Sequence, residues 1–170
     1  MTISVGDKLP EVTLIKATEE GPQPVKSSDY FAGKRIALFS VPGAFTPTCS
    51  AKHLPGFVEK AADLKAKGVD EIVGTAVNDA FVMYQWGKHL DIKQVKLLPD
   101  GSGMFTRRMG MLVERTSNGM GLRSWRYSML VNDGVIEKVF AEPDIKDNPN
   151  GVGVTVSDAD TMLAWLKTKA

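Results

Sequence analysis

The sequence predicts an α/β sandwich in which helices flank a central mixed β-sheet, folded as one domain over residues 1–170. Three observations predict it. Two largely apolar runs, 35–41 and 71–77, have the length of strands buried on both faces, and each is followed by a helix-start signal. Two later apolar runs, 127–131 and 135–140, are joined by Asn132-Asp133-Gly134, a tight-turn signal that makes them an antiparallel hairpin. The composition agrees: 170 residues, 43% hydrophobic and 24% charged, can bury one core, and no repeat or linker divides the chain.

Taken in order, an N-terminal stretch punctuated by Pro10, Pro22 and Pro24 precedes the first strand, which stops at Pro42-Gly43. Thr46-Pro47 then opens a helix, because Thr is a good N-cap and the missing N–H of Pro costs nothing at the first helical position. Pro55-Gly56 predicts a kink, yet Leu54, Val58 and Ala61, with Phe57 and Leu64, keep a helical spacing until Gly68 closes it. After the strand at 71–77, Asn78 or Asp79 caps a helix with Val82, Trp86, His89 and Leu90 on one side. A short strand at 95–98 leads to Pro99-Asp100-Gly101 and, later, to the hairpin. Ser157 or Asp158 starts a last helix that turns Met162, Leu163, Trp165 and Leu166 to the core.

Charge excludes some functions. Twenty-one basic and 20 acidic residues leave a net +1, too weak a field to gather nucleic acid or an anionic membrane. No apolar stretch approaches the length of a membrane span, and residues 1–7 carry no signal-peptide pattern, so a soluble, cytoplasmic protein is expected. The single cysteine, Cys49, excludes an internal disulfide and fits a reducing compartment. With two histidines at no recognised zinc spacing, neither a metal nor a cofactor is expected.

Cys49 falls just past a strand end, as the third residue of a helix capped by Thr46. There, backbone N–H groups lack intrahelical partners and the helix dipole presents partial positive charge, which favours thiolate over thiol. A buried structural cysteine is the bland alternative, since cysteine is among the most buried residue types. The strand-to-helix setting favours the reactive reading.

The pattern Pro42-x-x-x-Thr46-x-x-Cys49 matches the signature of the peroxiredoxins. The longer stretch 41–57, with His53-Leu54-Pro55-Gly56-Phe57, resembles their type II, atypical branch, as do 77–82 and Arg126-Tyr127-Ser128-Met129. The resemblance implies a thioredoxin-like fold and a thiol-dependent peroxidase acting on hydrogen peroxide and alkyl hydroperoxides. It also implies Cys49 as the peroxidatic cysteine, Thr46, Pro42 and Arg126 as its companions, and a homodimer. In physical terms Thr46 supplies a hydroxyl, Arg126 a fork of fixed donors with a permanent charge, and Pro42 a wall without an N–H.

Acidity alone does not make such a site fast. A thiol of pKa about 8.5 is roughly 3% ionised at pH 7, and lowering it to about 6 gains roughly 30-fold in thiolate. A Brønsted slope of about 0.4–0.5 costs roughly 10-fold in nucleophilicity, leaving a net gain of about threefold. The larger contribution must come from groups that grip the O–O bond as it breaks.

Some two-cysteine members of the branch carry a resolving cysteine in the segment aligned with 71–77, where this chain has Gly74. The sulfenic acid must therefore be reduced from outside, by glutathione, glutaredoxin, thioredoxin or another small thiol. His53, four residues after Cys49, lies on the same helix face and can tune the thiolate or hold a neighbouring carbonyl. Arg107, Arg108, Arg115, Arg123 and Arg126 are five of the six arginines; all but Arg126 read as a solvated, partly salt-bridged face. Phe45, Trp86, Met120 and Leu122 are candidates for an exposed apolar patch. Two other readings stay open: a cysteine hydrolase with His89 as base, and a redox sensor or non-catalytic thioredoxin-like binding module.

Overall fold

The computed structural model describes residues 2–169. The chain opens with a hairpin of β1 (Thr13–Thr18) and β2 (Gly21–Lys26) and a short helix, α1 (Ser27–Phe31), before the first apolar run enters as β3 (Arg35–Ser40). A helical segment starts at Pro47, widens into a π-turn at Cys49–His53, and continues as α2 (Leu54–Glu59) and α3 (Ala61–Ala66). Next come β4 (Glu71–Ala76), α4 (Ala80–His89), β5 (Lys96–Pro99) and α5 (Met104–Arg108). Two hairpins follow, β6 (Leu112–Arg115) with β7 (Gly121–Ser124) and β8 (Tyr127–Asn132) with β9 (Val135–Ala141), and then α6 (Ala159–Lys167).

The two early apolar runs take the centre of a five-stranded sheet ordered β5-β4-β3-β8-β9. β3 runs parallel to β4 and antiparallel to β8, so the sheet is mixed as the sequence predicts. Alternation along β3 divides the core. Ala37 and Phe39 face one side with Cys49, Phe57, Met83 and Met162, and Ile36 and Leu38 face the other with Phe105, Trp125, Tyr127 and Met129. The β8–β9 turn has both central residues left-handed, Asp133 at φ 50 and Gly134 at φ 77, which matches the twist of the strands it joins.

Several local expectations shift. Pro55 and Gly56 lie inside α2 rather than at the irregularity their residue types predict. The irregularity sits on either side, in the π-turn closed by Leu54 N–H on the Cys49 carbonyl and at Lys60, where φ is −95 and ψ 7. A widened turn just before a proline accommodates its ring and its missing donor, so the helix continues. Gly68 does end α3: its N–H donates to Lys65 O and that of Val69 to Leu64 O, with Val69 and Leu64 both buried. Asp79, not Asn78, caps α4 by accepting from Val82 N at 2.8 Å. This start turns Ala80, Met83 and Trp86 inward and leaves His89 in solvent, one step round from the expected face. Asp158 caps α6.

The β1–β2 and β6–β7 hairpins are not evident in the sequence. Pro22 and Pro24 read as loop residues, but being two apart they turn both missing N–H positions to the same side of β2, away from β1.

Candidate active site

The site assembles where β3 ends. Pro42 is buried in the loop leaving the strand, Ala44 N–H donates to Asn78 Oδ1 at 2.9 Å, and Phe45 turns at φ 65. Gly43 permits a close approach: a Cβ there would lie 3.0 Å from Arg123 Nη1 and 3.3 Å from Thr46 Cγ2. Thr46 precedes Pro47, but its hydroxyl does not cap the helix; it donates to Gly43 O at 2.7 Å. Cys49 follows as the third helical residue and is buried.

Burial alone fits the structural-cysteine alternative, but the neighbour does not. Arg126, itself buried immediately before β8, donates from Nη2 to Cys49 Sγ at 3.4 Å, from Nη1 to His53 Nδ1 at 3.0 Å and from Nε to Val152 O at 3.2 Å. The guanidinium is thereby held in its plane, with two of its five N–H groups still uncommitted. Because a guanidinium only donates, Nδ1 of His53 must accept, so the imidazole proton resides on Nε2 and donates to Ser157 O at 2.9 Å. Burial, reinforced by the Arg126 charge, pushes His53 down to about 4, against the bond to Ser157 and the charges of Glu142 and Asp158. The ring packs 5.2 Å from Phe39 and 5.7 Å from Phe57, which stack on each other at 4.4 Å.

Ser157 O is fixed in turn by Glu142. Its carboxylate accepts from the backbone N–H groups of Thr155, Val156 and Ser157 and from both hydroxyls, the Ser157 one at 2.6 Å. Burial acts to raise the Glu142 pKa, but the bonds from Ser157, Thr155 and Val156 outweigh it and hold the carboxyl at about 2. Glu142 N–H also donates to Arg126 O at 3.1 Å. A continuous polar path thus runs from Glu142 through Ser157, His53 and Arg126 to the sulfur.

Two expectations are corrected here. Arg115 does not belong to a solvated face: it is 7% exposed, with Nε and Nη2 buried and unpartnered. Arg123 is tied to Met120 O at 2.9 Å and Val77 O at 3.4 Å, and none of the ion pairs among the described residues includes Arg107, Arg108, Arg115, Arg123 or Arg126. Trp86 belongs to the core, donating to Ser50 Oγ at 3.0 Å, so of the expected patch Phe45 and Leu122 are exposed and Met120 is half-buried. His89 is exposed beside Phe45, with ring centroids 5.6 Å apart; the histidine linked to the sulfur is His53. Among the described residues no group of three or more His, Cys, Asp or Glu is placed to hold a metal, and no helix is long and apolar enough to cross a membrane.

Known proteins resemble this chain over most of its length. The Redoxin family model matches residues 4–163. Peroxiredoxin sll1621 of Synechocystis is 57% identical over 152 residues, covering 86% of this chain and 80% of its own length. The crystal structure of reduced Prx3 from Vibrio vulnificus in complex with hydrogen peroxide superposes with a TM-score of 0.88 at 43% identity, over 97% of this chain and 99% of its own. A Plasmodium falciparum antioxidant protein, a 1-Cys peroxiredoxin, superposes with a TM-score of 0.94 at 32% identity, over 98% and 99%. With its thioredoxin-like mixed sheet, the chain belongs to the peroxiredoxins and is a thiol-dependent peroxidase.

Proposed function

We propose that Cys49 is the peroxidatic residue of a one-cysteine cycle that reduces hydrogen peroxide and alkyl hydroperoxides. The observation that carries this reading is the Arg126 fork, which places a fixed cationic donor 3.4 Å from a buried sulfur. The thiolate attacks one peroxide oxygen in line with the O–O bond. An S–O bond forms, the O–O bond breaks, and the departing oxygen leaves with the electron pair and takes up a proton, giving Cys49 sulfenic acid and an alcohol or water. Arg126 stabilises the charge that moves from sulfur to the departing oxygen, using its uncommitted N–H groups. Thr46 spends its hydroxyl proton on Gly43 O, so its oxygen is free to accept from the O–H of the peroxide. Pro42 walls the sulfur without presenting a competing N–H.

A thiol then attacks the sulfenic sulfur, releasing water and leaving a mixed disulfide; a second thiol frees Cys49 and departs in a disulfide. Because Cys49 is the single cysteine, both thiols come from outside, as glutathione, glutaredoxin or thioredoxin. The lone thiol also supports a reducing, cytoplasmic setting, and the exposed Phe45 and Leu122 support a homodimer of one-domain subunits.

Stopped-flow consumption of peroxide tests the reading. It is expected to vanish in Cys49→Ser, and full activity in that variant overturns it. Steady turnover with glutathione or glutaredoxin is expected as well; a single round of oxidation with no turnover favours a redox sensor.

A further inference from the structure

We propose that Arg115 and Arg123 form a carboxylate-binding subsite beside Cys49 that selects anionic thiols as reductants. The inference rests on the one-cysteine reading above and names the chemistry of the thiol that completes it.

The β6–β7 hairpin builds the subsite. Val113 pairs with Arg123 and Arg115 with Gly121, so strand alternation puts Arg115 and Arg123 on one face as diagonal neighbours, with Glu114 and Leu122 on the other. Arg123 reaches the loop before the reactive cysteine, where it would stand 3.0 Å from a Cβ on Gly43. Arg115 keeps two buried donors, Nε and Nη2, without partners, although 7% of the residue remains open to solvent. A charged group buried without a partner is costly, and a site that keeps one is built for a ligand that supplies the missing acceptor. The carboxylates nearby do not supply it. Glu142 is committed to Thr155, Val156 and Ser157, and Glu114 points from the opposite face of the hairpin.

Charge identifies the half-cycle. Burial and the neighbouring charges of Arg126 and Arg123 oppose the charge of Arg115, and Cys49 supports it. The peroxide is neutral and adds no charge. Oxidation converts the thiolate to a neutral sulfenic acid, which removes the negative charge beside Arg115 just when the reducing thiol must approach. A thiol carrying a carboxylate supplies the acceptor and counter-charge that the Arg115 guanidinium lacks, while its sulfur attacks the sulfenic sulfur and water leaves. Glutathione, with two carboxylates and one ammonium, has this character; a neutral or cationic thiol does not.

The test oxidises the full-length protein with one equivalent of hydrogen peroxide and mixes it with 3-mercaptopropionate, 2-mercaptoethanol or cysteamine. Decay of Cys49 sulfenic acid is followed by quenching with a sulfenic-acid-selective dione and mass spectrometry. Per thiolate present, 3-mercaptopropionate is expected to react about tenfold faster than 2-mercaptoethanol, with cysteamine slowest and the spread narrowing as salt is added. Arg115→Met should bring the ratio of anionic to neutral rates close to one, and Arg115→Lys should keep part of it. A ratio near one in the unaltered protein, or one that Arg115→Met leaves intact, overturns the proposal. So does a result in which Arg115→Met removes a preference for a carboxylated hydroperoxide over tert-butyl hydroperoxide while the thiol ratio stays. The salt series on the unaltered protein decides the matter even if Arg115→Met fails to fold. Absence of any sulfenic acid at Cys49 overturns the catalytic reading together with this one, whereas a sulfenic acid indifferent to thiol charge overturns this one alone.

Discussion

His53 receives a hydrogen bond from Arg126 at 3.0 Å, an arrangement that exists only while the imidazole is neutral. Folding therefore competes with protonation. His53 falls from 6.5 to about 4 in the folded protein, so between those values the unfolded chain takes up a proton that the native state refuses. The stabilisation is complete above pH 6.5 and is lost as the pH falls towards 4, a change of about 3 kcal/mol for this buried group. Glu142 acts lower: its contribution is present above 4.5 and drains away as the pH falls to about 2. Urea unfolding across pH 7 to 4.5 should show the decline, and His53→Gln should flatten it. An equal slope in the variant would locate the protonation elsewhere.

Arg126→Lys keeps the positive charge but not the fork. One ammonium cannot serve Val152 O, His53 Nδ1 and Cys49 Sγ at once in the plane that Arg126 occupies. The rate of peroxide consumption should fall by about 10²–10³, the loss usual for one oriented donor to a developing oxyanion. A variant within a few fold of wild type would reduce the role of Arg126 to charge alone.

Glu142→Gln trades an acceptor-only carboxylate for an amide that presents two N–H donors to the N–H groups of Thr155, Val156 and Ser157. Chemical denaturation should register a loss of about 2 kcal/mol or more. Since Ser157 O holds His53, and His53 holds Arg126, the folded variant should also consume peroxide about tenfold to a hundredfold more slowly. Lower stability with an unchanged rate would confine Glu142 to holding its loop.

Gly74→Cys would add a second sulfur in the segment where the family resemblance implies a resolving cysteine in some two-cysteine members. A Cβ there would meet Phe39 Cζ at 2.6 Å, and Phe39 is held in the stack with Phe57. The expected outcome is a loss of about 1–3 kcal/mol from overpacking. After peroxide treatment, mass spectrometry should find no internal disulfide; a disulfide formed at native stability would show that the ring moves aside freely.

What the sequence makes legible is local. Thr46-Pro47 starts a helix, Gly68 ends one, and Asp133-Gly134 turns a hairpin, because each effect acts within a few residues. Cys49 and Arg126 are recognisable through motif residues, although 77 positions separate them. The partnership of His53 with Arg126 has no local signature, since it depends on how a helix and a strand 73 residues apart pack. Arg115 is hidden for another reason. Its strand has four residues, two of them charged, and only the pairing with β7 shows which side is buried. Of the predicted face of α4, Trp86 and Leu90 do pack on the core and His89 does not, because a 3.6-residue period fits His89 as well as Met83 and only packing on the sheet chooses between them.

The reach of the polar path has a consequence for biosynthesis. Ser157 closes on His53 across 104 residues, and Glu142 must already be seated to hold it there. A chain still emerging from the ribosome, with Glu142 and Ser157 not yet made, carries the cysteine without the assembly that directs it. The geometry that orients Arg126 towards the sulfur is therefore complete only once Glu142 and Ser157 have taken their native places.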